Sequence, residues 1–129
     1  MPLGKFENII QVAGTNILPY LTLVMPELHR IVRAAKNPEE ADLVSNVLQS
    51  FEKLVKQMRR RILPYMQDIV TTMESQWHSE SNRVRKKLAE LVYHSAAVLQ
   101  YEFKDYLTQV IQLIIQMFEM LRNKVLPFL

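Results

Sequence analysis

Three stretches of this chain repeat one wording: Ile17-Leu18-Pro19-Tyr20-Leu21, Ile62-Leu63-Pro64-Tyr65-Met66 and Phe103-Lys104-Asp105-Tyr106-Leu107, so that the tyrosines stand 45 and then 41 residues apart. With Tyr20, Tyr65 and Tyr106 in register, apolar residues recur four, eight and twelve positions on, as Val24/Ile69/Val110, Leu28/Met73/Ile114 and Val32/Trp77/Phe118. The register also runs backwards without a gap through Ala13/Met58/Leu99, Ile10/Val55/Ala96 and Phe6/Phe51/Val92. Steps of three and four place these side chains on one face of a helix. A helical unit with one apolar face cannot hide that face alone, and a neighbour carrying the same pattern covers it.

A unit of about 40–47 residues, helical throughout, is the HEAT or armadillo type of repeat. The expectation is an all-α fold: a right-handed α-solenoid of about three hairpins, with five long helices and one short. It forms a single domain over 1–129, with repeats near 5–36, 38–77 and 81–123 and a tail at 124–129. Such a stack presents surface, so a binding role comes before a reaction centre. The two glycines, Gly4 and Gly14, leave few sites for the positive-φ turns of hairpin-rich sheets. Cysteine is absent, which excludes a disulfide framework, a thiol nucleophile and a thiolate metal site. It also fits a reducing compartment, so the expected location is intracellular and cytoplasmic, with the nucleus as the alternative. A net charge of +3 is too small to demand nucleic acid. No segment reads as a membrane span, because the most apolar stretch, 106–121, carries Gln109, Gln112, Gln116 and Glu119 as one polar stripe on an otherwise buried central helix. The opening Met1-Pro2-Leu3-Gly4-Lys5 lacks the apolar run of a signal peptide.

Helix boundaries are clearest in the second repeat. Asn37-Pro38-Glu39-Glu40 offers a capping asparagine, a proline at the first helical position and acid at the positive end of the dipole. Val44, Leu48, Phe51, Val55, Met58 and Ile62 then form one apolar stripe, predicting a helix of about six turns that Pro64 ends as it starts the next. The short turn makes the pair antiparallel. In the third repeat Ser79 or Ser81 caps a helix bearing Val84, Leu88, Leu91, Val92, Ser95 and Leu99, and Ser95-Ala96-Ala97 permits close approach of a neighbour. The first repeat opens with a short helix from about Lys5 to Gly14, followed by one from Pro19 to Lys36 that Pro26 is expected to kink. Val125-Leu126-Pro127-Phe128-Leu129 echoes the repeated turn, as a terminal extension or the start of a further unit.

Tyr20-Leu21-x-x-Val24-x-Pro26-x-Leu28, the run Ile62 to Met73 ending at Trp77, and Glu102-Phe103-Lys104-Asp105-Tyr106-Leu107 resemble the amino-terminal HEAT array of the target of rapamycin (TOR) kinases. The resemblance covers roughly Glu7 to Phe118 and is strongest from Ile62 to Trp77 and from Glu102 to Leu107. Thr71 and Gln112 stand where the first repeat has Pro26, and Phe103-Lys104-Asp105 replaces Ile-Leu-Pro. The resemblance implies a scaffold segment of a very large serine/threonine kinase that docks accessory subunits. Kinase chemistry would lie elsewhere, since nothing here resembles a glycine-rich loop, a His-Arg-Asp loop or an Asp-Phe-Gly metal site.

Candidate chemistry is sparse. Glu74/His78 and Glu90/His94 sit four apart on helical faces, but the spacing does not match the Glu-x-x-His pattern of a helical di-iron site, so surface pairs are the expectation, with no metal and no cofactor. No nucleophile elbow or paired carboxylates are present, so catalysis by this chain is not expected. Two basic clusters remain. Lys53, Lys56, Arg59, Arg60 and Arg61 gather at a helix carboxyl end, where the dipole favours them; Arg83, Arg85, Lys86 and Lys87 crowd an amino end, where it opposes them. Glu80 and Glu90 or an acidic partner would compensate. The clusters fall on opposite edges, and aromatics interleaved with the charges are missing, which argues against a nucleic-acid groove.

The candidate partner-binding residues are therefore Arg59, Arg60, Arg61, Arg83, Arg85, Lys86 and Lys87. Tyr20, Tyr65 and Tyr106, with Pro19 and Pro64, are expected at the seams between repeats. The expected function is a non-catalytic scaffold for other protein subunits, whose uncapped repeat ends imply either a fragment of a longer array or self-association. The alternatives are a nuclear-transport or nucleic-acid-associated adaptor using the basic edges, and a closed bundle holding a small ligand.

Overall fold

The computed structural model describes residues 3–125, and the echo of the turn at 126–129 and the core role expected for Phe6 lie outside what is described. Six α-helices follow one another: α1 (Leu3–Ala13), α2 (Leu21–Ala34), α3 (Ala41–Met58), α4 (Leu63–Ser75), α5 (Asn82–Leu99) and α6 (Lys104–Val125). They form two layers. In one, α3 packs between α1 and α5; in the other, α4 packs between α2 and α6. This is an all-α solenoid of three stacked hairpins.

Three contacts between the second and third repeats fix the direction of their first helices. Arg83 reaches Asp42 at 2.6 Å, His94 Nε2 lies 3.4 Å from Glu52, and Arg60 Nε lies 3.3 Å from Glu102. The contacts succeed one another in the same order along both helices, so first helices of successive repeats run parallel. The even layer shows the same order, with His29 meeting Thr72 and Gln76 reaching the Val32 carbonyl.

The central helix explains why the stack holds. Val44, Val47, Leu48, Phe51, Leu54, Val55 and Met58 are all buried, because α1 and α5 flank α3 and α2 packs against it from the other layer. Fully burying one such side chain contributes about 1.5–3 kcal/mol. Small polar residues serve the closest approaches: Ser45 and Ser95 are buried in the α3–α5 layer, and Ser50 Oγ donates to the Asn46 carbonyl at 3.1 Å.

Several boundaries differ from the sequence expectation. The long first helix of the second repeat stops at Met58 and not beside Pro64, because Arg59 adopts φ 52° and ψ −125°, which ends an α-helix. A 3₁₀ turn, Arg59–Ile62, then leads to Pro64 in the first turn of α4. The break recurs in register: α1 ends before Gly14, with φ 57°, and α5 before Gln100, with φ 50° and ψ −117°. Asn37 does not cap with its side chain; a 3₁₀ turn, Pro38–Glu40, intervenes, and the Asn37 carbonyl accepts from the Glu40 amide at 2.9 Å. Ser81 caps α5, its Oγ accepting from the Val84 amide at 3.3 Å. The helix α2 continues through Pro26.

The sequence reading expects no membrane span; one stretch nonetheless meets the test of length and composition. Within the stretch Asn8–Ala34 an 18-residue window reaches a mean hydropathy of 1.3, enough by length and composition alone for a membrane-crossing helix. In the fold it is interrupted at Gly14 and by the 3₁₀ segment Gly14–Tyr20. Its buried residues Ile10, Ile17, Leu21, Met25, Leu28 and Val32 join the common core.

Candidate partner-binding surfaces

The repeat register turns exposure into a test of which faces lack a neighbour. The residue following the seam tyrosine is Leu21, Met66 or Leu107, and four further on stand Met25, Val70 and Ile111. In the first two repeats these are 0–2% exposed; in the third, Leu107 is 44% and Ile111 45% exposed. Ile115 and Phe118 extend the same exposed stripe along α6. So α6 is not the buried central helix its polar stripe suggested. The pattern of alternating apolar residues cannot report whether a neighbour is present, only that a face is ready for one.

At the seams, Tyr65 and Tyr106 are half-buried against the core, whereas Tyr20, in the first repeat, is exposed. Burial and the neighbouring Asp105 push the Tyr106 hydroxyl up from its ordinary pKa. Pro19 and Pro64 are exposed at the turns.

Polar pairs also cross the even layer. His29 is buried, stacks on Phe51 with ring centroids 5.0 Å apart, and meets Thr72 Oγ1 through Nδ1 at 2.5 Å. Its Nε2 is buried with no partner among the described residues. Burial pulls its pKa below 6.5; Asp68 opposes that shift and Arg33 adds to it. Trp77 donates its indole N–H to the Leu113 carbonyl, and Gln109 Nε2 donates to Glu74 Oε1 at 2.9 Å. Glu74 is thus turned to α6 and not to His78. In the odd layer Glu52 accepts Lys56 at 3.0 Å and faces His94, so His94 pairs across repeats and not with Glu90. Among the described residues no three His, Asp or Glu side chains gather as metal ligands would.

The two basic clusters lie at opposite ends of the parallel first helices. Around the start of α5, Arg83 holds Asp42, Arg85 donates to Asn82 Oδ1 at 2.7 Å, and Lys87 holds Glu90 at 3.1 Å. The Lys87 hydrogen bond pulls the Glu90 carboxyl below its ordinary pKa. Glu80 compensates only through its backbone carbonyl, which accepts from Arg85. Lys86 is exposed. On this edge an open groove of about 820 Å³ is lined by Arg33, Lys36, His78, Glu80 and Ser81 among others.

At the other edge the three hairpin turns come together. A groove of about 560 Å³ is lined by Thr15, Gln57, Met58, Arg59, Arg60, Arg61, Val98 and Gln100. Arg59, Arg60 and Arg61 are exposed, and among the described residues only Arg60 of the three forms an ion pair, with Glu102. Tyr101 is exposed beside them, with the Lys104 ammonium 4.0 Å from its ring centroid, and Tyr20 is exposed in the first turn. Aromatics therefore do accompany this cluster, contrary to the sequence reading. The resolving signal lay in the register, since Tyr101 follows the helix-ending Gln100 as Arg60 follows Arg59.

No protein-family model matches the chain, and no solved structure matches it. Among curated proteins, a serine/threonine-protein kinase mTor of Drosophila melanogaster is 31% identical over 111 residues, 86% of this chain and 4% of the relative. A serine/threonine-protein kinase TOR of Oryza sativa subsp. japonica is 28% identical over 126 residues, 90% of this chain and 5% of the relative. The chain spans only about one-twentieth of the length of these relatives. Its helical hairpins are therefore similar in sequence to a small segment of the TOR kinases.

Proposed function

We propose that this chain is a non-catalytic scaffold for protein–protein contacts, a helical-repeat segment of the kind a TOR-type protein uses outside its kinase domain. The exposed stripe Leu107, Ile111, Ile115 and Phe118 carries the reading. Positions that are closed in the first two repeats are open in the third, so α6 offers the same apolar face that α2 offers α4. Repeat stacks need a polar cap or a neighbour at such a face. The occupant is another hairpin of this type, supplied by a second copy when the chain is studied alone. Other protein subunits, and no cofactor, complete the proposal, in the cytoplasm.

Light scattering across a concentration series tests it. The chain should self-associate, and Ile111→Glu should leave it folded and monomeric. A wild-type monomer at every concentration would remove α6 as a contact surface.

A nucleic-acid-associated adaptor is the second reading, favoured by Tyr20 and Tyr101 exposed on the edge that carries Arg59, Arg60 and Arg61. It requires oligonucleotide binding that weakens steeply with salt.

A further inference from the structure

Each first helix ends at the same register position, and the three residues there are not alike. Gly14 is free to take a positive φ; Arg59 and Gln100 hold φ 52° and 50° with ψ near −120°, the geometry of the first central residue of a type II′ turn, where glycine is the usual choice. A non-glycine residue held in a sparsely populated region costs on the order of 1–3 kcal/mol. The turn itself works with glycine, as the first repeat shows. Something about the side chains of Arg59 and Gln100 outweighs a cost that glycine would remove.

Both side chains line one groove, the 560 Å³ cleft between the second and third turns. Arg60 and Arg61 stand beside it, and Val98 and Met58 give it an apolar wall. Arg60 is already engaged by a carboxylate, Glu102, which shows the chemistry the edge accepts. Arg59 and Arg61 have no such partner among the described residues. Gln57, also in the lining, carries a buried Oε1 without a donor. A peptide N–H answers that acceptor once the side chain adjusts; an inorganic anion cannot.

We infer that this turn-edge groove binds an acidic peptide segment of a protein partner, with Arg59 and Arg61 receiving its carboxylates and the strained backbone at Arg59 and Gln100 aiming two side chains at it. A nucleic acid fits less well. The second basic cluster lies at the far ends of the helices, the Lys104 ammonium occupies one face of Tyr101, and Glu102 lies within the edge. This inference deepens the scaffold reading and rests on it, since it names the chemistry of one partner.

The test is a titration of the whole chain with a short fluorescent peptide of alternating glutamate and glycine, at low and at physiological salt. A single-stranded oligonucleotide and inorganic phosphate serve as competitors. The peptide should bind and weaken as salt rises. Arg59→Gly with Arg61→Ala should weaken it by about tenfold or more, as expected for loss of charge-assisted hydrogen bonds, while Arg59→Gly alone should raise the melting temperature. Arg61→Ala alone, which leaves the backbone untouched, keeps the test valid if the double variant folds poorly. Equal peptide affinity in the wild type and these variants, or displacement by oligonucleotide or phosphate at lower concentration than by unlabelled peptide, would overturn the inference. Ile111→Glu should bind the peptide normally. A wild-type chain that binds the peptide but stays monomeric at every concentration tells against the α6 face only, and one that self-associates but does not bind the peptide tells against the groove only.

Discussion

Lowering the pH from 7.5 to 5.5 should destabilise this protein through His29. The imidazole is buried at the seam between α2 and α4, bonded to Thr72 through Nδ1 and pressed against Phe51, with Nε2 facing no acceptor among the described residues. A second proton would be buried without a partner, so the folded pKa lies below the 6.5 of a free histidine. The sign follows from proton binding: below pH 6.5 the unfolded chain takes up a proton that the folded chain refuses. Stability from this residue is thus complete above 6.5 and is lost as pH falls toward the folded pKa. For one group with a free value of 6.5, the loss between pH 7.5 and 5.5 is at most about 1.4 kcal/mol. In a chain of this size that corresponds to a melting shift of about 4 °C.

The assay compares urea unfolding of the wild type with that of His29→Leu combined with Thr72→Val, which replaces both hydrogen-bonding partners by apolar groups and avoids stranding either one. Every other titratable group is common to both proteins, so the difference isolates His29. The double variant should lose the extra pH dependence. Parallel pH curves for the two proteins would refute the reasoning, because they would mean that His29 is as protonatable folded as free.

Gln100→Gly should stabilise the chain by about 0.5–2 kcal/mol, the relieved strain less the added flexibility of the unfolded chain, measured by the midpoint of chemical unfolding. Trp77→Ala should cost about 3–5 kcal/mol, since the ring is buried and its N–H serves the Leu113 carbonyl; calorimetry would register it as a fall in melting temperature. Arg83→Ala should change stability by less than about 1 kcal/mol, because its pair with Asp42 is solvent-exposed, and its effect should vanish in high salt.

The register of the repeats was legible because helical periodicity survives in every unit, and the buried positions Ile10, Val55, Leu28, Met73, Val32 and Trp77 follow from it directly. What escaped was whatever depends on a neighbour or on a single backbone angle. Leu107 and Ile111 look like core residues in the sequence, and only the stack shows them exposed among the described residues. Arg59 and Gln100 belong to residue types with no turn signal, so their positive φ was readable only by aligning them with Gly14. Asn37 carries a strong capping signature that Pro38 and a 3₁₀ turn leave unused. Arg59, Arg60 and Arg61 fall in the 3₁₀ turn past α3 and not at the end of the long helix, and the partners Asp42 and Glu102 lie in other repeats, beyond any local pattern.

The unmet face on α6 gives the stack a direction. Ile9, Val12 and Leu23 are exposed in the first repeat, so the two ends differ in what they offer. Copies joined with α6 of one against the opening helices of the next would repeat the same small rotation at every junction, and a rotation that does not close grows a fibre. Tail-to-tail pairing of two α6 faces about a two-fold axis instead stops at a dimer.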